Sequence, residues 1–162
     1  MEKYDVYAKM AELGITLPKV VPEPATLSLS RFMTEDLLYV SGTGPNVVGE
    51  PEIHGKVPVG VSESEGIAAA RAVALNALAV IENEIGDLNK IDCFVKLIAF
   101  VACDDPKFSN QHIVANGTSQ LLIDIFGEKA GKAARSAVGV YSLPGDIPVE
   151  VEMIVKLKPE KG

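Results

Sequence analysis

The sequence predicts an α+β fold: a mixed β-sheet with two main helices on one face, in the order β-β-α-β-α-β-β. Three segments carry that prediction. Residues 62–85 repeat apolar side chains at spacings of three and four (Ile67, Ala70, Ala74, Leu78, Ile81, Ile85), the period of a helix with one buried face. Residues 92–103 (DCFVKLIAFVAC) are apolar at both parities except for Lys96, as in a central strand covered on two faces. Residues 149–157 alternate strictly, with Val149, Val151, Met153, Val155 and Leu157 on one face and Glu150, Glu152, Ile154 and Lys156 on the other.

The other elements follow in order. Tyr4, Ala8, Met10, Ala11 and Leu13 give residues 2–13 a weakly amphipathic pattern, a short helix that Gly14 ends and that reads as an appendage. Prolines at 18, 22 and 24 force extended backbone. The organisation is therefore an N-terminal helix and connector over 1–24 and a single domain over 25–162. Two β runs, 26–32 and 37–41, flank a turn at Thr34, Glu35 and Asp36, and Gly42-Thr43-Gly44-Pro45-Asn46 opens a loop running to Ser62. Ser62 and Glu65 form a capping box for the long helix, and Gly86 stops it. Asp105-Pro106 reads as the start of a second helix reaching Phe126, with Gly127 as its stop. Its middle, Asn116-Gly117-Thr118, is poor helix sequence, since Gly costs ~1 kcal/mol relative to Ala. Either packing requires a small residue at 117 or the helix is interrupted there. Two strands, 135–143 and 149–157, close the chain, joined by a hairpin loop over 143–148. That pairing sets Glu150 opposite Tyr141 and ~20 Å along the strand from Arg135, so one chain cannot bring the two together.

Composition narrows the function. The chain has 162 residues, with 15 Lys+Arg against 22 Asp+Glu, a net charge of −7. That is the wrong sign for a protein that binds by neutralising phosphates, so no nucleic acid partner is expected. The two cysteines, Cys93 and Cys103, fall ~33 Å apart on one strand and cannot bridge. Unpaired thiols and a charged N-terminus lead to the expectation of a cytoplasmic protein. No apolar run approaches the ~18 residues of a membrane span, so no membrane partner is expected either. The second face of the last strand is half apolar, and the preceding strand is neutral or apolar on both faces. Burial against another copy of the chain is the expectation.

Several chemistries drop out. The histidines, His54 and His112, have no cysteine or carboxylate at metal-ligand spacing and read as structural, so no metal is expected. Gly42-Thr43-Gly44 lacks the third glycine of a dinucleotide fingerprint and opens no helix. What remains is Arg135 at a strand start beside a Gly-Lys-Ala-Ala loop, where its planar fork can meet a carboxylate, and the strand carboxylates Glu150 and Glu152.

Together these residues resemble a family. Arg135-Ser136-Ala137-Val138-Gly139-Val140, then Leu143-Pro144, then Val149-Glu150-Val151-Glu152 is similar to the C-terminal signature of the Rid family, the YjgF-type reactive intermediate deaminases also labelled L-PSP endoribonucleases. Tyr39-Val40-Ser41-Gly42, Pro45, residues 71–76 leading into Gly86-Asp87-Leu88, and Phe108 with Val114-Ala115-Asn116 extend the match from about Thr26 to Leu157. The N-terminal helix, Leu17-Pro18 and Asn116-Gly117-Thr118-Ser119 resemble a longer subgroup. The resemblance implies a chorismate-mutase-like fold and a homotrimer with ligand clefts between subunits. It further implies cofactor-free hydrolysis of imines or enamines made from amino acids, giving a 2-keto acid and ammonia. Arg135 takes the place of the carboxylate-binding arginine and Glu150 that of the water-positioning glutamate. Ser41, Gly42, Asn116 and Ser136 join Arg135 as substrate-binding candidates. Three positions depart from the deaminase branch: Leu27-Ser28-Leu29 lacks a cleft tyrosine, Ala69 replaces a glutamine, and Gly139 stands where a glutamate is common. A non-catalytic module that binds a small carboxylate in the same cleft is the alternative, and an endoribonuclease, disfavoured by the charge, is the third reading.

Overall fold

The computed structural model describes residues 4–20, 25–47 and 49–159. The expected boundary at 24/25, with Pro22 and Pro24, falls on the edge of a segment outside the described residues.

The short helix α1 (Val6–Glu12) starts at Asp5, whose carboxylate accepts hydrogen bonds from the backbone of Tyr7 and Ala8. It is no appendage. Val6 and Met10 are buried in the common core, the Val6 N–H donates to Asn89 Oδ1 (2.9 Å), and Tyr4 Oη donates to the Ile125 carbonyl. Strands β1 (Ser30–Thr34) and β2 (Leu37–Thr43) form the first hairpin. β1 starts later than expected, and β2 continues through Gly42 instead of stopping before it.

Helix α2 (Glu63–Ile85) has the expected bounds: Ser62 and Glu65 cap each other, and Gly86 ends it in a left-handed conformation. By length and composition it could cross a membrane, which corrects the reading that no segment reaches that size. Its apolar residues instead form the centre of the core, from Ala70 through Ile81. Strand β3 (Ile91–Ala102) follows.

The second helix begins at Gln111, because 104–110 forms turns, and it is broken at Ala115 into α3 (Gln111–Val114) and α4 (Asn116–Gly131). Both alternatives posed by Gly117 hold. A Cβ there would lie 2.1 Å from the Ile67 carbonyl oxygen and 3.0 Å from the Arg71 nitrogen, so α4 meets α2 backbone to backbone. Beside it the buried Thr118 hydroxyl donates to the Ala70 carbonyl (2.6 Å). Gly127 does break the helical path, at φ 76°, before a last turn to Gly131.

Strands β4 (Ala134–Val140) and β5 (Val149–Leu157) do not form a hairpin. The sheet order is β1-β2-β5-β3-β4, with β4 parallel and β5 antiparallel to β3. The reason is the crossover. A helical connection from β3 to the next strand lays that strand parallel beside it, and β5 then takes the other edge of β3. The helices cover one face of the sheet, against Leu97, Val151 and Met153. The opposite, open face carries Tyr39, Lys96, Ile98, Glu152 and Ile154, all partly exposed. The observed architecture is thus the predicted α+β layer of helices on a mixed sheet.

Candidate functional site

Arg135 pairs with Leu97 of β3, so its side chain leaves β4 on the helix-covered side, at the free edge of the sheet. There the break between α3 and α4 receives it. Nη1 donates to Asn116 Oδ1 (3.0 Å) and Ser119 Oγ (2.9 Å), and Nη2 donates to the His112 carbonyl (3.0 Å). These acceptors are neutral, and Arg135 forms no ion pair among the described residues. Partial burial pushes its pKa down from the ordinary value, with no carboxylate pulling it back. Its positive charge is oriented but uncompensated, and it borders an open cavity of about 440 Å³.

Glu150 lies elsewhere. It pairs with Phe100, three residues further along β3 than Leu97, and β3 separates its strand from β4. Two strand spacings across and three residues along put the Cα atoms of Arg135 and Glu150 roughly 14 Å apart. The side chains also leave opposite faces of the sheet. The expectation that one chain cannot join them therefore stands, although the hairpin behind it does not.

The Glu150 carboxylate lies over Gly42, where a Cβ would come within 2.3 Å of Oε1, so this position admits only glycine while the carboxylate stays in place. Glu150 accepts no hydrogen bond from a described side chain. Burial, with the charge of Glu152 adding to it, holds its pKa above the ordinary value. That makes it a stronger proton acceptor once ionised.

The six sequence-predicted residues thus fall in three places. Arg135 and Asn116 meet at the helix break, and Glu150 and Gly42 meet on the open face. Ser41 neighbours Gly42 and spends its hydroxyl on the Ser28 carbonyl (2.6 Å). Ser136 points away from Arg135 and accepts from Lys96 Nζ (2.9 Å). Ser119 and the His112 carbonyl were missed as holders of the guanidinium. Ser119 was findable, since it lies one turn after Asn116 on the same helix face. A backbone carbonyl leaves no mark in a sequence.

No family model matches the chain. It is, however, 41% identical over 153 residues to Protein TCP17 of Trypanosoma cruzi, covering 94% of each chain. Among solved structures, Atu1372 of Agrobacterium tumefaciens, a protein of unknown function, is 38% identical at a TM-score of 0.85, over 94% of this chain and 92% of that one. The YjgF gene product of E. coli shares the fold at a TM-score of 0.57 and 23% identity, over 86% of this chain and 92% of that one. The chain belongs to the YjgF family. It superposes far better on Atu1372 than on YjgF itself.

Proposed function

We propose that this YjgF-family protein hydrolyses imines and enamines derived from amino acids, without a cofactor, in clefts between the subunits of a homotrimer. Arg135 of one subunit grips the substrate carboxylate. Glu150 of its neighbour receives a proton from the attacking water. Water adds to the imine carbon and Glu150 passes its proton to the nitrogen, giving a carbinolamine. Glu150 then moves the carbinolamine's hydroxyl proton to the nitrogen as the C–N bond breaks, so that ammonia leaves and the C=O of a 2-keto acid forms. The observation that carries this reading is a guanidinium fixed by neutral acceptors, with its charge left for an incoming anion. The separation of Glu150 from it supports a site shared between copies.

Release of pyruvate from 2-aminoacrylate generated in situ tests the proposal. Arg135→Ala is expected to lose on the order of 10³-fold in kcat/KM with the oligomer intact, the cost of removing one partner of a charged pair. Glu150→Gln is expected to be similarly impaired. Mixed trimers of the two variants should regain about a quarter of the wild-type sites, because only an intact Arg beside an intact Glu completes one. Assembled mixed trimers that stay inactive would refute the shared site. Stabilisation by pyruvate with no turnover of any imine would leave carboxylate binding as the function.

A further inference from the structure

A second cation borders the cavity of Arg135. Asn116, Ser119, Gln120, Ile123 and Lys132 line it together with the arginine. Two of these side chains are positively charged and none is acidic, in a chain whose net charge is −7. The two acids of α4, Asp124 and Glu128, both lie outside the lining, although Glu128 is one turn before Lys132. Asp124 accepts from Gln120 Nε2 (2.8 Å) and acts on Lys9 of α1. Lys132 sits where α4 ends, its backbone N–H donating to the Glu128 carbonyl (3.2 Å), and its ammonium forms no ion pair among the described residues.

A substrate with one carboxylate neutralises Arg135 and leaves the second charge unanswered. Paired cations in one concavity favour an anion with two negative groups. The spacing suits such a ligand. Lys132 and Arg135 are three positions apart in the chain, so their Cα atoms are at most roughly 11 Å apart. Both long side chains line the one cavity, whose volume of about 440 Å³ admits a short dicarboxylate.

We infer that the site prefers imines of acidic amino acids, with the distal carboxylate on Lys132 and the proximal one on Arg135. Lys132 is then a specificity residue rather than a catalytic one. The inference takes its substrate class from the proposed hydrolysis, but the binding selectivity it asserts can be measured without turnover.

Imines made in situ by oxidases from glutamate or aspartate and from alanine or leucine give the ratio of kcat/KM for acidic over neutral substrates. Wild type should favour the acidic imines, and Lys132→Ala should lower the ratio about fivefold, the scale of one partly exposed ion pair. Lys132→Glu should lower it further, and Lys132→Arg should preserve it. In parallel, 2-oxoglutarate should stabilise the wild type thermally more than pyruvate does, and Lys132→Glu should abolish that difference. A wild type that turns over no imine yet shows the selective stabilisation loses the hydrolase reading and keeps this inference. A wild type that hydrolyses imines with a ratio unmoved in Lys132→Glu keeps the reading and loses the inference.

Discussion

The Arg135 and Glu150 regions differ in how complete they are. Arg135 is bound on three sides by groups of its own chain, and its direction is set before any ligand arrives. Glu150 rests over a bare glycine, half-buried, with no described side chain donating to it and with Glu152 working against its charge. One region is a finished half-site for an anion. The other is a carboxylate kept basic and waiting for a partner. A single chain displays the two on opposite sides of one sheet, so the complete chemistry calls for a second copy.

Four changes probe that contrast, in order of expected effect. Gly117→Ala strikes the support of the finished half: the new methyl would meet the Ile67 carbonyl and the Arg71 nitrogen, backbone that cannot swing aside. A loss of about 3 kcal/mol in urea unfolding is expected, with Asn116 dragged from Arg135. Gly42→Ala tests the open half. Its Cβ meets only the flexible end of Glu150, so stability should change by less than about 1 kcal/mol while kcat falls on the order of tenfold as the carboxylate is displaced. A fall in stability as large as that of Gly117→Ala would show that Gly42 serves packing. Ser119→Ala removes one of the bonds that hold the guanidinium. A rise in KM of about fivefold, the worth of roughly 1 kcal/mol, is expected with kcat nearly kept.

The smallest effect is the pH dependence of Glu150→Gln. Folding raises the pKa of Glu150 above its ordinary 4.5, so the folded state holds its proton more tightly than the unfolded chain does. Wild type therefore loses stability as pH rises through that range. At neutral pH Glu150→Gln should be the more stable protein by a few tenths of a kcal/mol, after allowance for solvent screening. The difference should close below pH 4.5, and chemical denaturation across that range measures it.

Local signals were legible residue by residue. The Ser62–Glu65 box and Gly86 mark both ends of α2 because capping is satisfied within a few residues. The alternation of 149–157 assigns every side chain of β5 to a face, since a strand's period is two. Gly117 announced a close approach without saying to what. Arg135, Asn116 and Glu150 were identifiable as site residues by type and motif, and Ser119 by its place one turn after Asn116, whereas the His112 carbonyl was not.

The order of strands was beyond reach. Neighbours in sequence suggested a β4–β5 hairpin, and only the helical crossover from β3 to β4 placed β3 between them. Pairing joins segments distant along the chain, and its outcome depends on how every apolar face finds cover at once. The same global packing put α1 into the core and set Arg135 and Glu150 on opposite faces. Side-chain type and spacing thus decided which groups this protein has to work with. Which of them meet was decided by long-range packing, because contact across a sheet has no counterpart in distance along the chain.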